Sequence, residues 1–181
     1  LRLRGEEPVR SRTVDDAADA ALWIVERGGC QAVFHAIGEE DLERILRHPA
    51  TTIASDGEIP TFGVASPHPR SYGTFARVLA VYARDRKVVT LEDAIRKVTA
   101  FPAARLGLAD RGGVRPGLKA DLVVFDPAKV KDRATFERPH QYAEGVSHVI
   151  TNGQIVFESG TMTAARPGAV LYGSGRQNGR R

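Results

Sequence analysis

Apolar positions along the first hundred residues recur at helical spacing in some stretches and gather into short runs in others. Val14, Ala17, Ala18, Ala21, Leu22 and Val25 recur at three and four residues, Thr13 stands before them as a cap, Asp15 and Asp16 fall in the first turn, and Gly28-Gly29 stops the pattern. The spacing predicts a helix. Gln31 to Ile37 is a compact, mostly apolar run too short for a helix of its own and suited to a buried strand. A second helix is predicted over Glu39 to Arg47, with Leu42, Ile45 and Leu46 on one side and Pro49 ending it, and Thr51 to Ala54 reads as a second short strand that terminates at Ser55-Asp56-Gly57. Helix, strand, helix, strand is the alternation of parallel strands joined by crossover helices, the unit of α/β sheets and of (β/α) barrels. After a Gly- and Pro-punctuated loop from Gly57 to Arg70, Tyr72 to Arg86 is predicted as an amphipathic helix with Phe75, Val78, Leu79 and Tyr82 on one face. Thr90 then caps a helix over Leu91 to Thr99, with Asp93 three residues on in a weak form of the capping box.

Beyond Leu108 the pattern changes. Gly112-Gly113, Pro116-Gly117 and Asn152-Gly153 are turn signals, and Ala120 to Phe125, Val146 to Thr151 and Gln154 to Glu158 are strand-type runs. The Asn152-Gly153 pair between two such runs is the strongest hairpin signal in the chain, because a type I′ turn needs two residues that accept positive φ. A boundary is expected near 108 to 113, separating residues 1–110 from a small β region over residues 111–172.

Composition narrows the class. The chain has 181 residues, 42% apolar and 27% charged, with 26 Lys and Arg against 22 Asp and Glu for a formal charge of +4. That suits one domain of ordinary size. No apolar run approaches the roughly 20 residues of a membrane-spanning helix, and the start lacks the apolar stretch of a signal peptide. With a single cysteine, Cys30, no internal disulfide can form, which is compatible with a reducing compartment, and a cytoplasmic location is the expectation. The net positive charge does not imply nucleic-acid binding, since basic and acidic residues interleave (Glu39, Glu40, Asp41, Glu43, then Arg44 and Arg47) and no basic stripe carries exposed aromatics. Only residues 173–181 are distinctly basic, and a Gly-rich, Arg-containing end is expected to be a solvated, disordered tail. Residue 1 is Leu, and the chain is expected to be part of a longer protein.

Three segments carry a resemblance. Ile53-Ala54-Ser55-Asp56-Gly57, then Pro67-His68-Pro69-Arg70-Ser71-Tyr72-Gly73-Thr74-Phe75, then Thr90 to Thr99 resemble the carboxy-terminal part of N-acyl-D-amino-acid deacylases, the D-aminoacylase branch of the amidohydrolase superfamily. Arg111-Gly112, Arg115-Pro116-Gly117, Ala120 to Pro127, Phe136, Pro139-His140, Gly145 and Val149 to Gly153 follow in the order of that family. The Ala-Asp-Leu-Val segment specifies only the superfamily, whereas Ser-Asp-Gly followed by His-Pro-Arg-Ser-Tyr-Gly is much narrower. The resemblance implies an α/β fold: the carboxy-terminal part of a metal-dependent (β/α)8 TIM barrel, its last strands and helices within residues 1–110, followed by a β-sandwich segment of a composite domain over residues 111–172. In that picture Thr51 to Ala54 is the last barrel strand and Asp56 stands at its carboxyl end, where barrel enzymes place their chemistry.

The residues then take expected roles. Amide hydrolysis needs a base for the attacking water and an acid for the leaving amine, and one carboxylate can serve as both. Asp56 is the candidate catalytic residue, with the alternative that Asp-Gly is simply a turn. Arg70 resembles the family residue that grips the substrate α-carboxylate, a task a planar guanidinium performs with two parallel hydrogen bonds. His68, between Pro67 and Pro69, is expected to shape that loop or to bond near the site. No metal ligand is expected in this chain: the His-x-His entry of the amidohydrolases is absent, and His35, His48, His68, His140 and His148 form no metal-binding pair. Cys30 is expected to be a small buried hydrophobe and His35 at most a pocket-lining residue, so the zinc of the family would be held by residues upstream. Asp121 is expected to bond into a turn of the β region, and nothing is assigned to Arg105, Arg111 and Arg115.

The expected function is zinc-dependent deacylation of N-acyl-D-amino acids, small-molecule substrates, to a carboxylate and a free D-amino acid. Two alternatives are a cyclic amidase of the dihydropyrimidinase or dihydroorotase kind and a non-catalytic, truncated interaction module. Glu58 would repel an acidic side chain if it pointed inward, which favours apolar substrates slightly. Half a barrel would leave apolar surface uncovered, so the isolated polypeptide is expected to be inactive and to self-associate.

Overall fold

The computed structural model describes residues 17–29 and 36–172. The chain divides into two compact units, residues 1–41 and residues 42–181. In the first lies α1 (Ala17–Glu26). It stops where the glycine pair predicts, with the amides of Gly28 and Gly29 donating back to the carbonyls of Val25 and Ile24, both at 3.0 Å. The predicted cap at Thr13, the first five residues of the predicted strand over 31–37, Cys30 and His35 all lie outside the described residues.

The second unit takes up within α2 (Glu39–Arg47), whose three acids in the first turn and two arginines in the last complement the helix dipole. Leu46 is buried as its spacing predicts, while Ile45, expected beside it, is half exposed. Next come α3 (Arg70–Arg77), which winds directly into a π-helical segment over Val78–Asp85, then α4 (Leu91–Val98) and α5 (Ala100–Arg105). The uniform helix predicted over 72–86 is therefore corrected. Winding over five residues turns Val78, Ala80, Tyr82 and Ala83 inward, and Phe75, in the α-helical part before it, is exposed. Thr90 caps α4 as predicted, its hydroxyl accepting the Asp93 amide at 3.1 Å. Asp93 does not complete the box; its carboxylate pairs with Arg96 at 2.8 Å.

α2, the π-helical segment and α4 close over one apolar cluster of Leu46, Val78, Tyr82, Ala83, Val88, Val89 and Ala94, with Leu42, Ile53, Leu79 and Val81 packed against it. Ile53 brings the chain leading to Asp56 onto that core. Thr51 to Ala54 is not a strand, because no ladder of hydrogen bonds joins it to a neighbour among the described residues. It is alternately half-buried and exposed and is held by Lys97 instead. The Lys97 ammonium donates to the carbonyls of His48 (2.6 Å) and Thr51 (3.3 Å), and its own carbonyl accepts the Ile53 amide at 3.1 Å.

The β region is an antiparallel sheet in the order β1 (Leu122–Phe125), β2 (Val146–Thr151), β3 (Gln154–Glu158) and β4 (Thr161–Met162). The first three match the predicted runs, apart from two residues at the start of β1. Asn152 and Gly153, at φ 46° and 80°, form the β2–β3 turn with the two positive φ values that the pair predicts. Asp121 does bond into a turn, accepting the Asn152 amide at 2.7 Å, and Arg111 pairs with Asp110 and Asp121. Every residue of β2 is only half-buried. Among the described residues no second sheet covers it.

Candidate functional site

Asp56, His68 and Arg70, picked from sequence, come together. Asp56 sits at φ 48°, a left-handed conformation that aspartate tolerates better than most residues. The next residue must be glycine: a Cβ on Gly57 would lie 2.9 Å from the Ser71 Cα and 3.3 Å from the Arg70 carbonyl oxygen. This close approach lays the Ser-Asp-Gly turn against the first turn of α3. The Ser71 hydroxyl accepts the Glu58 amide at 3.1 Å, and the Ser55 hydroxyl accepts the Gly57 amide at 3.1 Å. The consequence is an ion pair, with Arg70 Nη2 2.7 Å from Asp56 Oδ2. The carboxylate side chain is 83% exposed and the guanidinium 43%, so both reach water while touching each other.

His68 completes the group. Its Nδ1 accepts the Arg70 amide at 3.1 Å, and its ring meets the Phe136 ring edge-on at 5.0 Å. Desolvation, mostly, and the Arg70 charge hold its pKa below the ordinary 6.5, while Asp56 pulls the other way. An acceptor Nδ1 and a lowered pKa agree: the ring is neutral, with its proton on Nε2.

A second layer was not visible in the sequence. His140, to which the sequence assigns no site role, stands 2.8 Å from the Tyr72 hydroxyl through Nδ1. Phe62, Tyr72, Tyr142 and His140 form a ring cluster, with Phe62 stacked on Tyr142 at 5.2 Å. Burial and the neighbouring Tyr142 push the Tyr72 phenol above its usual pKa. The spacing of aromatics before and after His140 was the available signal, but pairs separated by 68 positions carry no periodicity. His48 and His148 take no part: the His48 ring accepts the Ala50 amide and His148 faces Glu158 across the sheet. Among the described residues no group of three His, Cys, Asp or Glu side chains could hold a metal ion.

The amidohydrolase family profile matches residues 2–157, most of the sequence and the whole of this site. The chain belongs to the amidohydrolase family. This amidohydrolase is 44% identical over 157 residues to N-acyl-D-aspartate deacylase of Alcaligenes xylosoxydans xylosoxydans, across 87% of its own length and 30% of the relative's. It is 47% identical over 140 residues to D-aminoacylase of the same organism, across 77% of its own length and 28% of the relative's. The solved structure of N-acyl-D-glutamate deacylase from Bordetella bronchiseptica, complexed with zinc and a phosphonate inhibitor, matches with a TM-score of 0.68 at 44% identity, covering 75% of this chain and 28% of that one. The chain thus spans less than a third of each relative.

Proposed function

We propose that this amidohydrolase serves the deacylation of N-acyl-D-amino acids, with Asp56 as the proton-transfer residue, Arg70 as the clamp on the substrate α-carboxylate, and His68 as the residue that sets Arg70 in place. The observation that carries the reading is the Asp56–Arg70 contact at 2.7 Å in a chain whose relatives are named deacylases. It puts a proton acceptor and a carboxylate-binding group side by side, which is what a substrate whose amide nitrogen is one carbon removed from a carboxylate requires. Engaging Asp56 through Nη2 leaves Arg70 further N–H donors for a second carboxylate. In the reaction, Asp56 takes a proton from the attacking water, whose oxygen bonds to the amide carbon. The C–N bond then breaks and the same proton passes to the departing nitrogen.

Zinc is present in the Bordetella relative, but the described residues here do not fit a metal ion. We assign its ligands to polypeptide outside them. Residues 1–110 belong in this reading to the last part of a (β/α)8 barrel and residues 111–172 to a β-sandwich whose other sheet lies elsewhere. The alternately half-buried course of 51–54, unpaired among the described residues, supports the first assignment and the half-buried strands support the second.

The test is hydrolysis of N-acetyl-D-methionine against its L-isomer by the full-length enzyme with zinc. Asp56→Asn, which keeps shape and loses the proton acceptor, is expected to lower kcat by about 10²–10⁴-fold. Wild-type turnover by Asp56→Asn, or equal rates on the two isomers, would remove the proposal.

A further inference from the structure

The loop over residues 57–69 joins the two ends of the site, Asp56 and Arg70, and its middle is tied down from a distant part of the chain. His140 holds it at two points and is itself held by the Tyr72 hydroxyl of α3. Nδ1 of His140 lies 3.2 Å from the Gly63 amide and 2.8 Å from the Tyr72 hydroxyl, and Nε2 lies 3.1 Å from the Ala65 carbonyl oxygen. A backbone amide can only donate and a carbonyl can only accept. The ring therefore accepts at Nδ1 and donates from Nε2–H. Ala65 is held at φ 59°, a left-handed conformation that a non-glycine residue keeps only when its surroundings impose it. The same segment also grips the loop nearer its end, through the contact of Phe136 with His68.

From this geometry we infer that His140 is a positioning residue for the site, fixing the loop between Asp56 and Arg70 through Gly63 and Ala65 and tying it to α3 through Tyr72. The inference rests on the deacylase reading above. His140 supplies no atom to the reaction. Tyr72 is two residues beyond Arg70 in the same helix, so the effect falls first on the substrate clamp and on KM.

The test uses the full-length enzyme. Tyr72→Phe removes one hydroxyl and no packing, and is expected to raise KM for N-acetyl-D-methionine about three- to tenfold, the scale of a lost hydrogen bond, with kcat within about twofold. His140→Ala is expected to raise KM further and to speed hydrogen exchange at the Gly63 amide. The double variant should then be less than additive, because both changes delete the same bond. His140→Asn, which keeps an acceptor near the Nδ1 position, is expected to recover much of the loss. If His140→Ala folds yet KM and Gly63 exchange stay at wild-type values while Asp56→Asn is inactive, the positioning role is wrong and the deacylase reading stands. If Asp56→Asn and Arg70→Ala both keep full activity, the site itself is wrong and the inference falls with it. Should His140→Ala fail to fold, the KM and Gly63 exchange of Tyr72→Phe decide in the same way.

Discussion

Arg70 acts on both of its neighbours with opposite effect: its guanidinium attracts the Asp56 carboxylate, and its charge disfavours a proton on His68. Arg70→Ala removes the second influence and leaves the opposing pull of Asp56, so the His68 pKa is expected to rise, as read by NMR titration of the ring. In the wild type the folded pKa lies below the unfolded value near 6.5, so the unfolded chain binds more protons in the window between them. Stability contributed by His68 is therefore present above pH 6.5 and lost as pH falls through the folded pKa. His68→Asn should flatten that part of the stability profile in denaturant titrations run at a series of pH values; an unchanged slope would mean the ring is not the group responsible. Gly57→Ala is a second test at this scale. The added methyl meets backbone atoms of Ser71 and Arg70, which have no side-chain freedom to yield, so the turn must move away and part Asp56 from Arg70. Loss of activity without loss of the helical signal is the expected result. Asp56, His68 and Arg70, which the structure brings together, stand out in sequence only through the family resemblance of segments 53–57 and 67–75. His140 does not, since its partners at Gly63 and Tyr72 lie 77 and 68 positions away.

The elements were legible wherever a local device defines them. Thr90 capping α4 and the Asn152-Gly153 turn each act over a few residues, and the structure shows both as the sequence predicts. The segment over Thr51 to Ala54 was read as a strand because its residue types and alternation suit one, but a strand also needs a partner, which the residue pattern cannot supply. What holds it instead is a fully buried lysine. Lys97, at 0% exposure, satisfies the carbonyls of His48 and Thr51 and lies 3.7 Å from Asp93 Oδ2. Long cations are seldom buried unless their donors are met, and here they are met by the chain that leads to Asp56. Lys97→Met preserves most of the volume and strands those two acceptors, at a cost of about 1–3 kcal/mol. A fall of several degrees in the thermal midpoint is the expected outcome, and a variant as stable as the wild type would show that water replaces the ammonium.

At the scale of the whole molecule, the core that the helices share is small and its outlying apolar residues are many. Ile59, Phe62, Val64, Val114, Tyr142 and Met162 are each more than half exposed, and strands β1 to β4 contribute no fully buried residue. Scattered exposed apolar side chains are ordinary, but here they include the loop beside the site and the faces of the sheet, which in the proposed fold would be covered by other parts of a longer chain. The 181-residue polypeptide expressed alone is therefore expected to self-associate through those surfaces and to show no deacylase activity. Light scattering and sedimentation should report species larger than a monomer that grow with concentration. Added salt should not disperse them, since apolar burial is not screened as charge pairing is. A monomer that unfolds in one sharp, reversible transition would mean that the small core suffices and that the exposed surface needs no cover.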